Sequence, residues 1–147
     1  MDAKERVEGA VAHFADGYLC SQSVLLVYAE ELGLDPGMAA KIAAPFGAGM
    51  GRMGWTCGAV TGALMAIGLR YGFDTAGDVE TKELMYEKER QFLAAFAARN
   101  RSVVCRELLG RDLSTPEGLE AARQEGLFET RCPGYIRDAV EILGELL

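Results

Sequence analysis

The sequence predicts an all-α protein, a single domain of about six to seven helices that spans residues 1–147. Apolar residues recur at intervals of three and four along most of the chain, which is the spacing of one helix face. No segment alternates apolar and polar residues over the length of a strand. A chain of 147 residues fits one domain, and no repeat, low-complexity tract or linker divides it.

The first half of the chain carries the signals of three helices. Ser21 is a good N-cap for the second of them, which we expect to end at Gly33. Asp35 and Pro36 combine an N-cap with a first-turn proline, so a third helix should run through Ala44. The apolar face of the first helix consists of Val7, Ala10, Val11 and Phe14.

Further helices are predicted in the second half, each from a helical periodicity and a terminal signal. Thr115 and Pro116 are a cap and a first-turn proline, and charged residues surround an apolar side in the long segment 76–100. The predicted segments are 57–70, about 76–100, a short helix at Cys105 that Gly110 ends, 114–126 and 132–147.

All four cysteines stand where local signals start a helix. They are Cys20, Cys57, Cys105 and Cys132. A helix start carries unpaired N–H groups and the positive end of the peptide dipole, which stabilise a thiolate over a thiol. The thiolate is the form that attacks disulfides and binds metals. Redox or metal chemistry is therefore the leading prediction.

Composition and charge argue against several other classes of protein. The net charge of −7 opposes binding to nucleic acid or to an anionic membrane surface. The most apolar segment, 55–69, is shorter than the roughly 20 residues that cross a bilayer, so no membrane insertion is expected. Residues 1–6 lack the pattern of a signal peptide, which predicts a cytoplasmic protein. Permanent disulfides are rare in that compartment.

Two groups of glycines flank Cys57. Gly58 and Gly62 are four residues apart on one predicted helix face, where a neighbouring backbone or a ligand can come close. Gly49, Gly51 and Gly54 match G-x-G-x-x-G, but a helix precedes them instead of a strand, which disfavours dinucleotide binding. We expect positive-φ turns whose N–H groups can bond sulfur or an anion. Plain helix packing and a flexible loop remain the alternatives.

The order of these motifs resembles the C_GCAxxG_C_C family of redox-active proteins. The resemblance rests on Cys20, the run Cys57-Gly58-Ala59-Val60-Thr61-Gly62, the segment 105–110 and Cys132, and it covers about residues 14–143. It implies a small helical protein with a redox role, which can include a metal or iron–sulfur group. It also implies that the protein works beside oxidoreductases or transporters.

Three mechanisms remain open at this point. In the first, the four thiolates converge on zinc or an iron–sulfur cluster used in electron transfer, although no C-x-x-C is present. In the second, cysteine pairs cycle between dithiol and disulfide, with Cys57 favoured as nucleophile by its helix start and by nearby Arg52. In the third, the cysteines only pack the core of an interaction protein without chemistry.

The candidate site residues follow from these mechanisms. Arg106 and Arg131 adjoin cysteines and could lower their pKa values. An oxidoreductase or electron-transfer protein is the expected partner, and a homo-oligomer is allowed. The catalytic or metal-ligating candidates are Cys57, Cys20, Cys105 and Cys132, and the candidates for contact with a bound group are Gly58, Gly62, Gly49, Gly51 and Arg52.

Overall fold

A computed structural model describes residues 1–147 and confirms the all-α class. Eight helices of at least five residues are joined by two single turns, α4 and α9, and by a 3-10 turn at Ala44–Phe46. The helices are α1 (Ala3–Ala15), α2 (Cys20–Ala29), α3 (Pro36–Ala43), α4 (Gly47–Met50), α5 (Gly58–Tyr71), α6 (Val79–Asn100), α7 (Cys105–Leu109), α8 (Pro116–Gln124), α9 (Leu127–Thr130) and α10 (Cys132–Leu146).

Side-chain caps start four of these helices. The carboxylate of Asp2 accepts from the N–H of Glu5, whose side chain accepts in return from the N–H of Asp2. Asp35, Asp78 and Thr115 cap α3, α6 and α8 in the same sense, each by accepting from an N–H three residues on. Local sequence therefore sets these helix starts.

The start and end of α2 differ from the prediction. The N-cap is Leu19, and Ser21 lies inside the helix, fully buried. Its hydroxyl donates to the carbonyl oxygen of Ala43 at 2.8 Å, so it ties α2 to α3 instead of capping α2. The helix ends at Ala29, and Gly33 follows only after a further turn.

Two hydrophobic clusters form the interior. The larger contains 23 buried residues from α1, α2, α3, α5, α6, α7 and α10, and Phe92, Phe96 and Ile67 are among its fully buried side chains. The smaller contains Cys105, Leu109, Leu113, Ala122 and Leu127. None of the helices combines the length and the apolar character of a membrane span.

Tight packing of α2 on α5 explains why residues 58 and 62 are both glycine. A Cβ at Gly62 would lie 2.5 Å from the carbonyl oxygen of Ser21, far inside van der Waals contact. A Cβ at Gly58 would overlap the sulfur of Cys20 and lie 3.1 Å from the nitrogen of Ser21. The face that carries Gly58 and Gly62 is therefore occupied by the first turn of α2, as the packing interpretation predicts.

Candidate functional site

One cavity of about 560 Å³ is lined by all four cysteines. Cys20, Cys105 and Cys132 are the first residues of α2, α7 and α10, and Cys57 is the N-cap of α5. The predicted placement at helix starts is thus confirmed for each of them. All four are free thiols in this structure.

Backbone hydrogen bonds join two of these helix starts. The N–H of Cys57 donates to the carbonyl of Val103 at 2.8 Å, and the N–H of Cys105 donates to the carbonyl of Trp55 at 2.5 Å. The arrangement is an isolated antiparallel bridge, the only pairing of extended backbone in the chain. It holds the start of α5 beside the start of α7, although the two cysteines are far apart in sequence.

The cysteines divide between the two hydrophobic clusters. Cys57 belongs to the larger cluster and Cys20 packs against it, whereas Cys105 belongs to the smaller cluster and Cys132 packs against that one. The cavity therefore lies where the two clusters meet, with one pair of thiols supplied by each.

A left-handed turn at residues 48–52 precedes Cys57. The φ angles from Ala48 to Arg52 are all positive, at 55°, 66°, 65°, 66° and 67°. The predicted positive φ is confirmed at Gly49 and Gly51, but Ala48, Met50 and Arg52 also adopt it, and each non-glycine residue there costs about 1–2 kcal/mol. Such strain concentrates at functional sites.

The left-handed turn aims a backbone donor at Cys20. Burial raises the pKa of the Cys20 thiol, and the N–H groups of Ala48, Ser21 and Gly58 act in the opposite direction because they would bond the thiolate. Cys20 is only partly buried by surface area and faces the cavity. Sequence analysis expected N–H groups of the glycine-rich segment to bond sulfur, but it favoured Cys57, whereas the N–H of Ala48 faces Cys20.

Burial also raises the pKa of the other three thiols. The pKa of Cys57 lies well above 9.0, first because the thiol is buried and next because a charged Cys20 would repel its thiolate. Burial raises the pKa of Cys105 to about 11 and that of Cys132 to about 12. The expectation that helix starts lower these pKa values is therefore wrong, because desolvation of the thiolate outweighs the N–H groups and the dipole.

The neighbouring arginines do little to offset this burial. The charge of Arg106 lowers the pKa of Cys105, but by less than burial raises it. Arg131 donates instead to the carbonyls of Leu108 and Leu109, at 3.0 and 3.2 Å, and satisfies the end of α7. The guanidinium of Arg131 therefore serves the backbone, and its effect on the Cys132 thiol stays a prediction.

The residues expected to contact a bound group separate into two sets. Gly58 and Arg52 line the cavity. Gly62, Gly49 and Gly51 lie outside it. Gly62 faces α2, as described above, and a Cβ at Gly49 would lie 2.6 Å from the nitrogen of Trp55, so both serve close backbone packing.

The side chains do not gather into a metal site. No three His, Cys, Asp or Glu residues are arranged so that they could hold one ion. The four sulfurs line one cavity but do not form such a group in this structure. The metal role of the cysteines stays a prediction.

Comparison with known proteins gives one result. The C_GCAxxG_C_C family model, described as "Putative redox-active protein", matches residues 18–146 and so includes all four cysteines. Neither the curated proteins nor the solved structures contain a significant match to the chain.

Proposed function

The chain belongs to the C_GCAxxG_C_C family of redox-active proteins, and we propose that Cys20 and Cys57 form its reactive dithiol in thiol–disulfide exchange. The observation that carries this proposal is the position of the Cys20 sulfur, which lies against Gly58, the residue next to Cys57. A charged Cys20 also raises the pKa of Cys57 more than Cys105 or Cys132 does.

Cys20 is the proposed nucleophile. Cys20 lines the cavity and is a partly exposed residue, whereas Cys57 is 6% exposed. The N–H groups of Ala48, Ser21 and Gly58 would stabilise its thiolate at the moment of attack. Cys57 is then the resolving thiol, held at the cap of α5 by its own N–H bond to Val103.

The exchange balances as two substitutions at sulfur. The thiolate of Cys20 attacks one sulfur of a disulfide substrate, forms a mixed disulfide and expels the other sulfur as a thiolate. Cys57 then attacks the Cys20 sulfur and releases the second substrate thiolate. The two protons of the cysteine thiols pass to the departing thiolates, so a substrate disulfide is reduced to a dithiol while Cys20 and Cys57 are oxidised to a disulfide.

Trapping of the mixed disulfide tests the assignment. The reduced protein and its four single Cys→Ser variants are mixed with a small disulfide, quenched with acid and analysed by peptide mass spectrometry. We expect a Cys20–Cys57 disulfide in the parent, a persistent mixed disulfide on Cys20 in Cys57→Ser, and loss of reaction in Cys20→Ser. A mixed disulfide that forms only on Cys105 or Cys132 would contradict the proposal.

A metal or iron–sulfur site used in electron transfer is the second candidate function, supported by the presence of all four sulfurs around one cavity. It requires the four helix starts to move together, since no three ligands are gathered. Metal and acid-labile sulfide are measured in anaerobically purified protein. Stoichiometric metal that is lost in every Cys→Ser variant would favour this candidate over the dithiol.

A further inference from the structure

Resting on the proposed dithiol function, we infer that the substrate is a small, largely apolar disulfide that carries a carboxylate. The inference deepens the function of the same cavity. It follows from the size, the lining and the charged rim of that cavity.

The interior of the cavity is apolar and large enough for a small molecule. Sixteen of its 22 lining residues are hydrophobic, and its volume of about 560 Å³ lies within the range of small-molecule sites. Phe14, Leu113, Leu119 and Phe128 contribute side chains from both ends of the chain. Apolar ligand surface would replace water against these groups.

Two of the four cysteines of the cavity are buried residues. Cys57 and Cys105 are each 6% exposed, whereas Tyr18 and Leu19 of the same lining are 41% exposed. Exchange requires that the attacking sulfur reaches a substrate sulfur directly. A small molecule fits a cavity of this volume, so its disulfide can reach the thiols.

Two arginines mark the rim. Arg52 and Arg123 are exposed residues that line the cavity, and neither makes an ion pair or a side-chain hydrogen bond. Glu129 is the one acidic residue of the lining, so the rim carries one net positive charge. A carboxylate on the outer end of the ligand would face a guanidinium while the apolar end reaches the thiols.

Three disulfides that differ in charge, polarity and size test this inference. Lipoate has a cyclic disulfide on an apolar chain that ends in a carboxylate, lipoamide has the same ring and chain without the charge, and glutathione disulfide is polar and bulky. The rate at which each oxidises the reduced protein is followed by titrating the thiols of the protein after the small molecules have been removed by gel filtration. We expect lipoate to react fastest, lipoamide about 2–10-fold slower because rim charges are screened by solvent, and glutathione disulfide slowest.

Arginine variants identify the charged rim. In Arg52→Gln and Arg123→Gln, the preference for lipoate over lipoamide should shrink toward unity. Arg90→Gln is the matched control, because Arg90 is an exposed arginine of α6 outside the cavity lining, and it should keep the parental preference. A preference that survives in Arg52→Gln and Arg123→Gln, or a faster reaction with glutathione disulfide, would overturn the inference.

A ligand that can bind in the cavity but cannot react with a thiol separates this inference from the proposed function. Octanoate has the apolar chain and the carboxylate but no sulfur, and calorimetry measures its binding to the reduced protein. Binding that weakens in Arg123→Gln supports the ligand class even if no disulfide is ever formed, in which case the dithiol function fails. No octanoate binding, together with a trapped Cys20 mixed disulfide, overturns the ligand class and leaves the dithiol function standing.

Discussion

The sulfur of Cys20 packs directly on the α-carbon of Gly58, so that no side chain can be placed at Gly58 without displacing the sulfur. The contact joins the first turn of α2 to the first turn of α5, and it turns the N–H of Gly58 toward the thiol. Glycine next to Cys57 is therefore a requirement of the dithiol geometry and also of helix packing.

Gly58→Ala should destabilise the protein by about 1–3 kcal/mol, since the added methyl overlaps the Cys20 sulfur and crowds Ser21. Gly68→Ala in the same helix is the control, because a Cβ there meets nothing within 4 Å and should stabilise α5 by about 0.5–1 kcal/mol. Urea unfolding measures both variants. Equal stability of Gly58→Ala and the parent would show that the two helices are further apart in solution.

Gly62→Leu should cost more than Gly58→Ala, at least about 3 kcal/mol, because the carbonyl of Ser21 is backbone and cannot move aside as a side chain does. The measurement is the thermal or urea unfolding midpoint. An unchanged melting temperature would mean that this face of α5 is open.

Ala48→Gly should stabilise the protein by about 0.5–1 kcal/mol. The left-handed conformation costs alanine about 1–2 kcal/mol, and glycine removes this cost. The greater flexibility of glycine in the unfolded chain offsets about 0.5–1 kcal/mol of that stabilisation. Ala94→Gly, at an exposed position of α6, should instead lose about 1 kcal/mol. If both variants lose stability equally, residue 48 is not left-handed in solution.

Alkylation of the folded protein by iodoacetamide should continue to accelerate above pH 9 at Cys105 and Cys132, whose pKa values are raised to about 11 and about 12. Peptide mass spectrometry follows each cysteine separately. The urea-unfolded protein is the control, and its rates should level off near the ordinary thiol pKa of about 8.5. The same plateau in the folded protein would refute burial of these thiols.

Because these thiol pKa values are raised by folding, the free energy of unfolding should fall as the pH rises. The folded state holds its thiol protons more tightly than the unfolded state, so the contribution is fully present below about pH 9 and is lost as pH rises toward about 11. The free energy of unfolding should therefore fall over that window, and Cys105→Ser should reduce the slope. A slope that is the same in parent and variant would contradict the assignment.

The helix boundaries could be predicted from sequence because their signals are local. Asp35 and Thr115 accept hydrogen bonds from N–H groups three residues away, and Gly110 adopts the positive φ that ends α7. The same logic placed Cys57 and Cys132 at helix starts. Ser21 was mistaken for a cap because its partner, the carbonyl of Ala43, lies in another helix.

Local sequence therefore determined the all-α class, the helix starts and the position of each cysteine at one of them. Only the tertiary structure decided which thiols share a cluster, that burial outweighs the helix start in setting their pKa values, and that Arg123 joins Arg52 at the rim. The physical reason is that desolvation and the left-handed strain at Ala48 are imposed by chain segments distant in sequence, and no short-range pattern records them.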